Sequence, residues 1–157
     1  TALNVGLNTE LWLTESPDQE SIFHSYPFEI QMQKGDNLGQ RMLHAFESSF
    51  REEPQTPVIL IGSDCPGMKP EILSEACLKL QNHDIVLGPA SDGGYYLIGM
   101  KQVFEEVLLD KTWSHDGVFH EALKVIAAKK LRFHRLPELS DIDREEDWLK
   151  WKHLLGE

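Results

Sequence analysis

The run Val58-Ile59-Leu60-Ile61 constrains the fold more than any other stretch of this chain. It is apolar on both faces and too short for a helix, so it reads as a strand covered on both sides, as in the centre of a parallel sheet. Similar short segments recur. Glu10 to Thr14 reads as a strand closed by Ser16-Pro17-Asp18, and Phe28 to Met32 as a second. Asp84 to Leu87, Tyr95 to Met100 and Leu131 to Leu136 read as three more. Helical spacing fills the gaps. Leu38, Met42, Ala45, Phe46 and Phe50 form one apolar stripe, with Asp36 placed to cap it. Ile72, Leu73, Ala76, Cys77 and Leu80 form another, and Pro70 suits its first turn. Further helices are expected at Val103 to Leu109, at Val118 to Lys130, and after Asp143. Lys129 and Lys130 would sit at a helix C-terminus, where the dipole favours cations. Strands alternating with helices predict an α/β fold with a largely parallel sheet. With 157 residues and no repeat, linker or low-complexity segment, residues 1–157 are expected to form one domain.

Charge limits the partners. Fifteen basic against 26 acidic residues leave a net charge of −11, and no basic stripe opposes it, which argues against nucleic acid. An anionic small substrate would need a cation to hold it. No apolar run approaches the ~20 residues of a membrane span, and the first residues carry no basic leader. Cytoplasm is the expected compartment. Cys65 and Cys77 lack metal-ligand spacing; Cys77, on the apolar helix stripe, is expected to be a buried free thiol.

In open parallel sheets ligands bind beyond the carboxyl ends of the strands, so the residues leaving each strand are the site candidates. Gly62-Ser63-Asp64-Cys65-Pro66-Gly67 leaves the Val58 strand. Asp64 is placed there to meet a divalent cation, or only to shape a turn. Gly88 to Tyr96 contains Asp92-Gly93-Gly94-Tyr95, in which the glycines let backbone approach a ligand; Asp-Gly is equally a plain turn signal. Asp141 and Asp143, two apart, can share a cation, although Asp143 with Glu146 also matches a capping box. Gly35 and Gly39 bracket a helix start with Lys34 and Arg41 nearby, a setting for an anion or an ordinary surface turn. In Thr112 to Gly117, Ser114 or Asp116 can serve as a helix cap.

These segments, in this order, resemble a bacterial family assigned by inference as glycosyltransferases, some of them associated with arsenosugar biosynthesis genes. The shared motifs are Gly35-Asp36-Asn37-Leu38-Gly39-Gln40-Arg41-Met42, Gly62-Ser63-Asp64-Cys65-Pro66, Gly88 to Gly99, Trp113-Ser114 and Asp141-Ile142-Asp143. The family resembles the nucleotide-diphospho-sugar transferase superfamily, with the molybdenum cofactor and phospholactate guanylyltransferases among its relatives. The resemblance implies a glycosyltransferase A-like three-layer sandwich with a mixed, mostly parallel sheet. It implies a metal-dependent glycosyl transfer from a nucleotide sugar to a small-molecule acceptor. Nucleotidyl transfer from a nucleoside triphosphate, and a non-catalytic ligand-binding relative, are the alternatives. Residue by residue, it implies Mg²⁺ or Mn²⁺ on Asp64 with Asp141 or Asp143, and catalytic roles for Asp64 and Asp92. Nucleotide or substrate contacts fall to Gly35, Asp36, Leu38, Gly39, Arg41, Gly62, Ser63, Gly93, Gly94, Tyr95, Trp113 and Ser114. The superfamily opens with a strand and a loop resembling Pro-Gly-x-x-Lys-Thr-Arg-Leu, a pattern not found in this sequence. Thr1 to Asn8 resembles the tail of the following helix, so the first strand and nucleotide loop are expected to be missing. A vacant strand position would leave edges able to pair with a second copy of the chain.

Overall fold

The computed structural model describes residues 6–18, 21–109 and 111–140. Its elements run β1 (Glu10–Leu13), β2 (Glu29–Met32), α1 (Leu38–Glu52), β3 (Val58–Ile61), α2 (Pro70–Leu80), β4 (Ile85–Pro89), β5 (Tyr95–Met100), α3 (Val118–Ala128) and β6 (Phe133–Arg135). The helix expected after Asp143 lies outside the described residues. Two short 3₁₀ turns, Ile22–Ser25 and Glu105–Val107, complete the path. The second replaces the helix expected over Val103 to Leu109. Val103 and Phe104 instead pack onto the core, and the remaining segment is too short to repay helix nucleation.

β1 and β2 pair in parallel as a separate two-stranded sheet. The larger sheet has the order β3-β5-β4-β6. β3, β4 and β6 run one way and β5 runs against them, pairing antiparallel with both β3 and β4. The sheet is therefore mixed, with one reversed strand. Val58–Ile61, expected at its centre, is instead at its margin among the described residues; β5 takes the interior place. Ile61 is 41% exposed there.

Helices cover both faces. Phe46 of α1 and Phe119, Ala122 and Ile126 of α3 pack with Ile85, Leu87, Ile98 and Met100 on one face. Leu73, Ala76 and Leu80 of α2 pack with Val86, Tyr96 and Leu97 on the other. This is the three-layer arrangement expected. α2 lies close to β5 because Gly99 has no side chain: a Cβ there would come 2.8 Å from Leu80 Cδ1. The two cysteines form no disulfide, and Cys65 is the buried one while Cys77 is only half-buried. Among the described residues no helix is long and apolar enough to cross a membrane.

One irregularity decides what the site contains. Leu97 opposes Gly88 but Tyr95 opposes Pro89, so Tyr96 is an extra residue in β5. Such a bulge interrupts the alternation of faces. Ile98 and Met100 face α1 and α3, yet Tyr96 joins Leu97 under α2 and Tyr95 turns to the α1/α3 side.

Candidate functional site

β3 and β4 end, and β5 begins, at one edge of the large sheet. Gly62 N–H donates to Tyr96 O at 2.9 Å, which anchors the first turn after β3 beside β5. Gly62, Ser63 and Asp64 are exposed there. The Asp64 carboxylate folds back over Gly62, where a Cβ would lie 2.8 Å from Oδ1. No described residue hydrogen-bonds or ion-pairs with this carboxylate.

The β4–β5 connection is built by its own backbone. Ala90 N–H donates to Gly94 O at 3.1 Å, and Gly93 N–H to Ala90 O at 3.1 Å. Asp92 Oδ1 accepts from Gly94 N–H at 2.8 Å, so this carboxylate shapes the turn in which it stands. Gly93 has φ +91°, and a Cβ there would strike the Asp116 backbone. Only glycine allows that approach. It brings Gly93 O to within 2.9 Å of Phe119 N–H in the first turn of α3. Leu139 also runs beside this loop: Ser91 N–H donates to Leu139 O at 2.9 Å, and Leu139 N–H to Pro89 O at 3.1 Å. Asp141 and Asp143, expected as metal ligands, lie outside the described residues.

The Trp113 segment joins the same edge. A Cβ on Gly39 would meet Leu108 O and come within 2.9 Å of Trp113 Nε1, so this glycine lets the first turn of α1 sit against the indole. Tyr95 meets Trp113 edge-on, with ring centroids 6.1 Å apart. Its hydroxyl is buried with no hydrogen-bond partner among the described residues, and burial raises its pKa far above the ordinary phenol value. Tyr96, turned the other way, donates to Pro137 O at 2.9 Å. Burial pushes its pKa up to about 12. Ser114 has φ +66°. Neither Ser114 nor Asp116 caps α3; Gly117 stands at that position without a side-chain bond. His115 Nδ1 accepts from Gly117 N–H at 3.0 Å, leaving Nε2 3.7 Å from Glu121.

The fourth segment forms the turn into α1. Asn37, rather than Asp36, is the cap: its side chain accepts from Gln40 N–H at 3.0 Å. Gln40 returns a bond to Asp36 N–H at 2.7 Å. Both residues are good cap formers, and only the entry path of the chain separates them. Arg41 Nε donates to Gly35 O at 3.2 Å and so ties down its own loop. Leu38 is 49% exposed.

The edge thus unites Gly62, Ser63, Asp64, Asp92, Gly93, Gly94, Tyr95, Trp113, Ser114 and Gly39. Gly35, Asp36, Leu38 and Arg41 join it only through the helix turn that Gly39 shares. Among the described residues no three His, Cys, Asp or Glu side chains gather as a metal cluster. Sequence reasoning missed Lys111, whose Nζ lies 5.6 Å from the centre of the Trp113 ring. Its signal was present: a lysine two residues before a tryptophan, which in extended chain shares its side. Also missed was a hollow of about 500 Å³ at the end of β1, lined by residues including Thr14, Glu15, Ser16 and Asp18.

Comparisons with known proteins agree with this architecture. A crystal structure from Desulfovibrio desulfuricans G20, described provisionally as a nucleotide-diphospho-sugar transferase, superposes with a TM-score of 0.81 at 27% identity. The match covers 99% of this chain and 71% of that one. No curated protein matches the chain significantly. Residues 2–115 match the family described as "Uncharacterized protein conserved in bacteria" (DUF2064). That match spans the β3 exit, the Asp-Gly-Gly loop and Trp113-Ser114, and the chain belongs to this DUF2064 family.

Proposed function

We propose that this chain is a divalent-metal-dependent transferase that moves a glycosyl group from a nucleotide sugar to a small-molecule acceptor. The observation that carries this reading is the convergence, at one sheet edge, of an unengaged Asp64, the Asp92-Gly93-Gly94 turn and Trp113. The similarity to a nucleotide-diphospho-sugar transferase supports it further. The donor set suits a hard cation: Mg²⁺ and Mn²⁺ take one or two carboxylates and complete their shell with water and phosphate oxygens. Asp64 would hold the ion, with Asp141 or Asp143 as its second carboxylate. When bound, the metal neutralises the charge of the leaving diphosphate.

The chain's own groups do the rest. The Asp64 carboxylate, exposed and free of hydrogen-bond or ion-pair partners among the described residues, keeps its lone pairs for a ligand. The Asp92 turn, with the backbone groups of Gly93 and Gly94 bonded inside the protein, fixes the Asp116 backbone and the start of α3 beside the site. Trp113, wedged against Gly39 and Tyr95, offers a flat apolar wall.

The deciding experiment is calorimetric titration with a panel of nucleotides and nucleotide sugars, with and without Mn²⁺. The expected outcome is metal-dependent binding of one nucleotide class. Asp64→Ala should weaken that binding at least about tenfold while leaving the far-UV spectrum unchanged. Equal binding by the variant removes Asp64 from the site. Product analysis separates the reactions: free nucleoside diphosphate marks glycosyl transfer, and pyrophosphate marks nucleotidyl transfer.

A further inference from the structure

We propose that Lys111 and Tyr95, both packed against the Trp113 indole, form an oxyanion pocket that receives the carboxylate or phosphate group of the acceptor. The inference rests on the transferase reading for the word acceptor, but the pocket itself rests on geometry.

Two side chains packed against one indole carry buried donors with no hydrogen-bond acceptor among the described residues: Lys111 Nζ and Tyr95 Oη. Buried polar groups are nearly always paired, so two such groups against one ring call for an occupant. Among the described cations Lys111 stands apart because its unpartnered ammonium is buried. Lys129 bonds Glu106, Arg132 bonds Asp84, Arg135 bonds Glu138, and Arg41 and Lys101 bond backbone carbonyls. Among the described residues the ammonium of Lys111 has the face of Trp113 and the charge of Glu121. Burial lowers its pKa, and Glu121 offsets part of that effect. An ammonium has three protons to give and a phenol one. A carboxylate or phosphate group has the charge and the lone pairs to accept from both. The chain is strongly acidic, so a buried cation is what such a ligand needs in order to bind.

The test is thermal unfolding of the whole chain in phosphate, in acetate, and in chloride matched for ionic strength. The wild type is expected to melt about 2–4 °C higher in phosphate, in acetate or in both than in chloride. The better anion identifies the acceptor's group. Lys111→Met should lose the rise while melting no lower than wild type in chloride, because it buries a thioether in place of a charge. Tyr95→Phe should keep part of the rise. A wild type indifferent to both anions, or a Lys111→Met variant that keeps the full rise, overturns the pocket. Should Lys111→Met fail to fold, the Trp113 indole N–H resonance of the wild type decides, assigned through Trp113→Phe. It is expected to shift on phosphate or acetate titration, and a resonance that moves with neither excludes the site. Asp64→Asn separates the two ideas. It should abolish Mn²⁺-dependent nucleotide binding and leave the anion response intact. Nucleotide binding without an anion response defeats the pocket alone, and an anion response without nucleotide binding defeats the transferase reading.

Discussion

Asp84 shows how one residue ties two strands and makes stability depend on pH. Its carboxylate accepts from Arg132 backbone N–H at 2.9 Å, from Nε at 3.1 Å and from an Nη at 2.6 Å. These bonds hold the carboxyl below the usual carboxylate range. A depressed folded pKa contributes stability that is complete above the unfolded value of about 3.9 and disappears as pH falls through the folded value. Asp84→Asn should therefore unfold at lower urea than wild type at pH 7. The difference should shrink once pH drops below about 4 and vanish in stronger acid, as a series of urea titrations will show. Single residues were the most legible part of the sequence. Asp64, Asp92 and Gly93 stand out by following apolar strands, and the structure puts them at one sheet edge; Trp113 stands out only through the family resemblance. Lys111 was legible only as a lysine two residues before Trp113; that its ammonium is buried against that ring follows from packing and not from the spacing.

At the scale of elements, local chemistry determined existence better than position. α1 begins one residue later than the Asp36 cap would have it. Asn37→Ala is expected to cost about 1 kcal/mol in chemical denaturation, and Asp36→Ala much less, because only the Asn37 side chain accepts the Gln40 N–H. The strands were found within a residue or two because their apolar runs are short and bounded by Pro, Gly and Asp. Their order in the sheet was not. An apolar four-residue run marks a buried strand, but pairing is non-local, and nothing in Val58–Ile61 says that β5 will lie on one side of it and no described strand on the other. The bulge at Tyr96 was equally hidden. Tyr95-Tyr96 reads as ordinary alternation until the register against Gly88 and Pro89 is known.

For the whole molecule, the sheet order implies a gradient of protection. β5 and β4 are paired on both sides, whereas β3 is paired on one among the described residues. Amide exchange followed by mass spectrometry should find the β5 and β4 amides slowest and those of β3 faster. Uniform exchange across β3, β4 and β5 would contradict this order. The gradient reaches the site through what each half hangs from. The Asp92-Gly93-Gly94 turn is clamped between the two best-protected strands and against α3, while Asp64 is carried on the end of the margin strand. The two carboxylates are therefore expected to keep different clocks, the Asp92 turn following the slow opening of β4 and β5 and Asp64 the faster opening of β3.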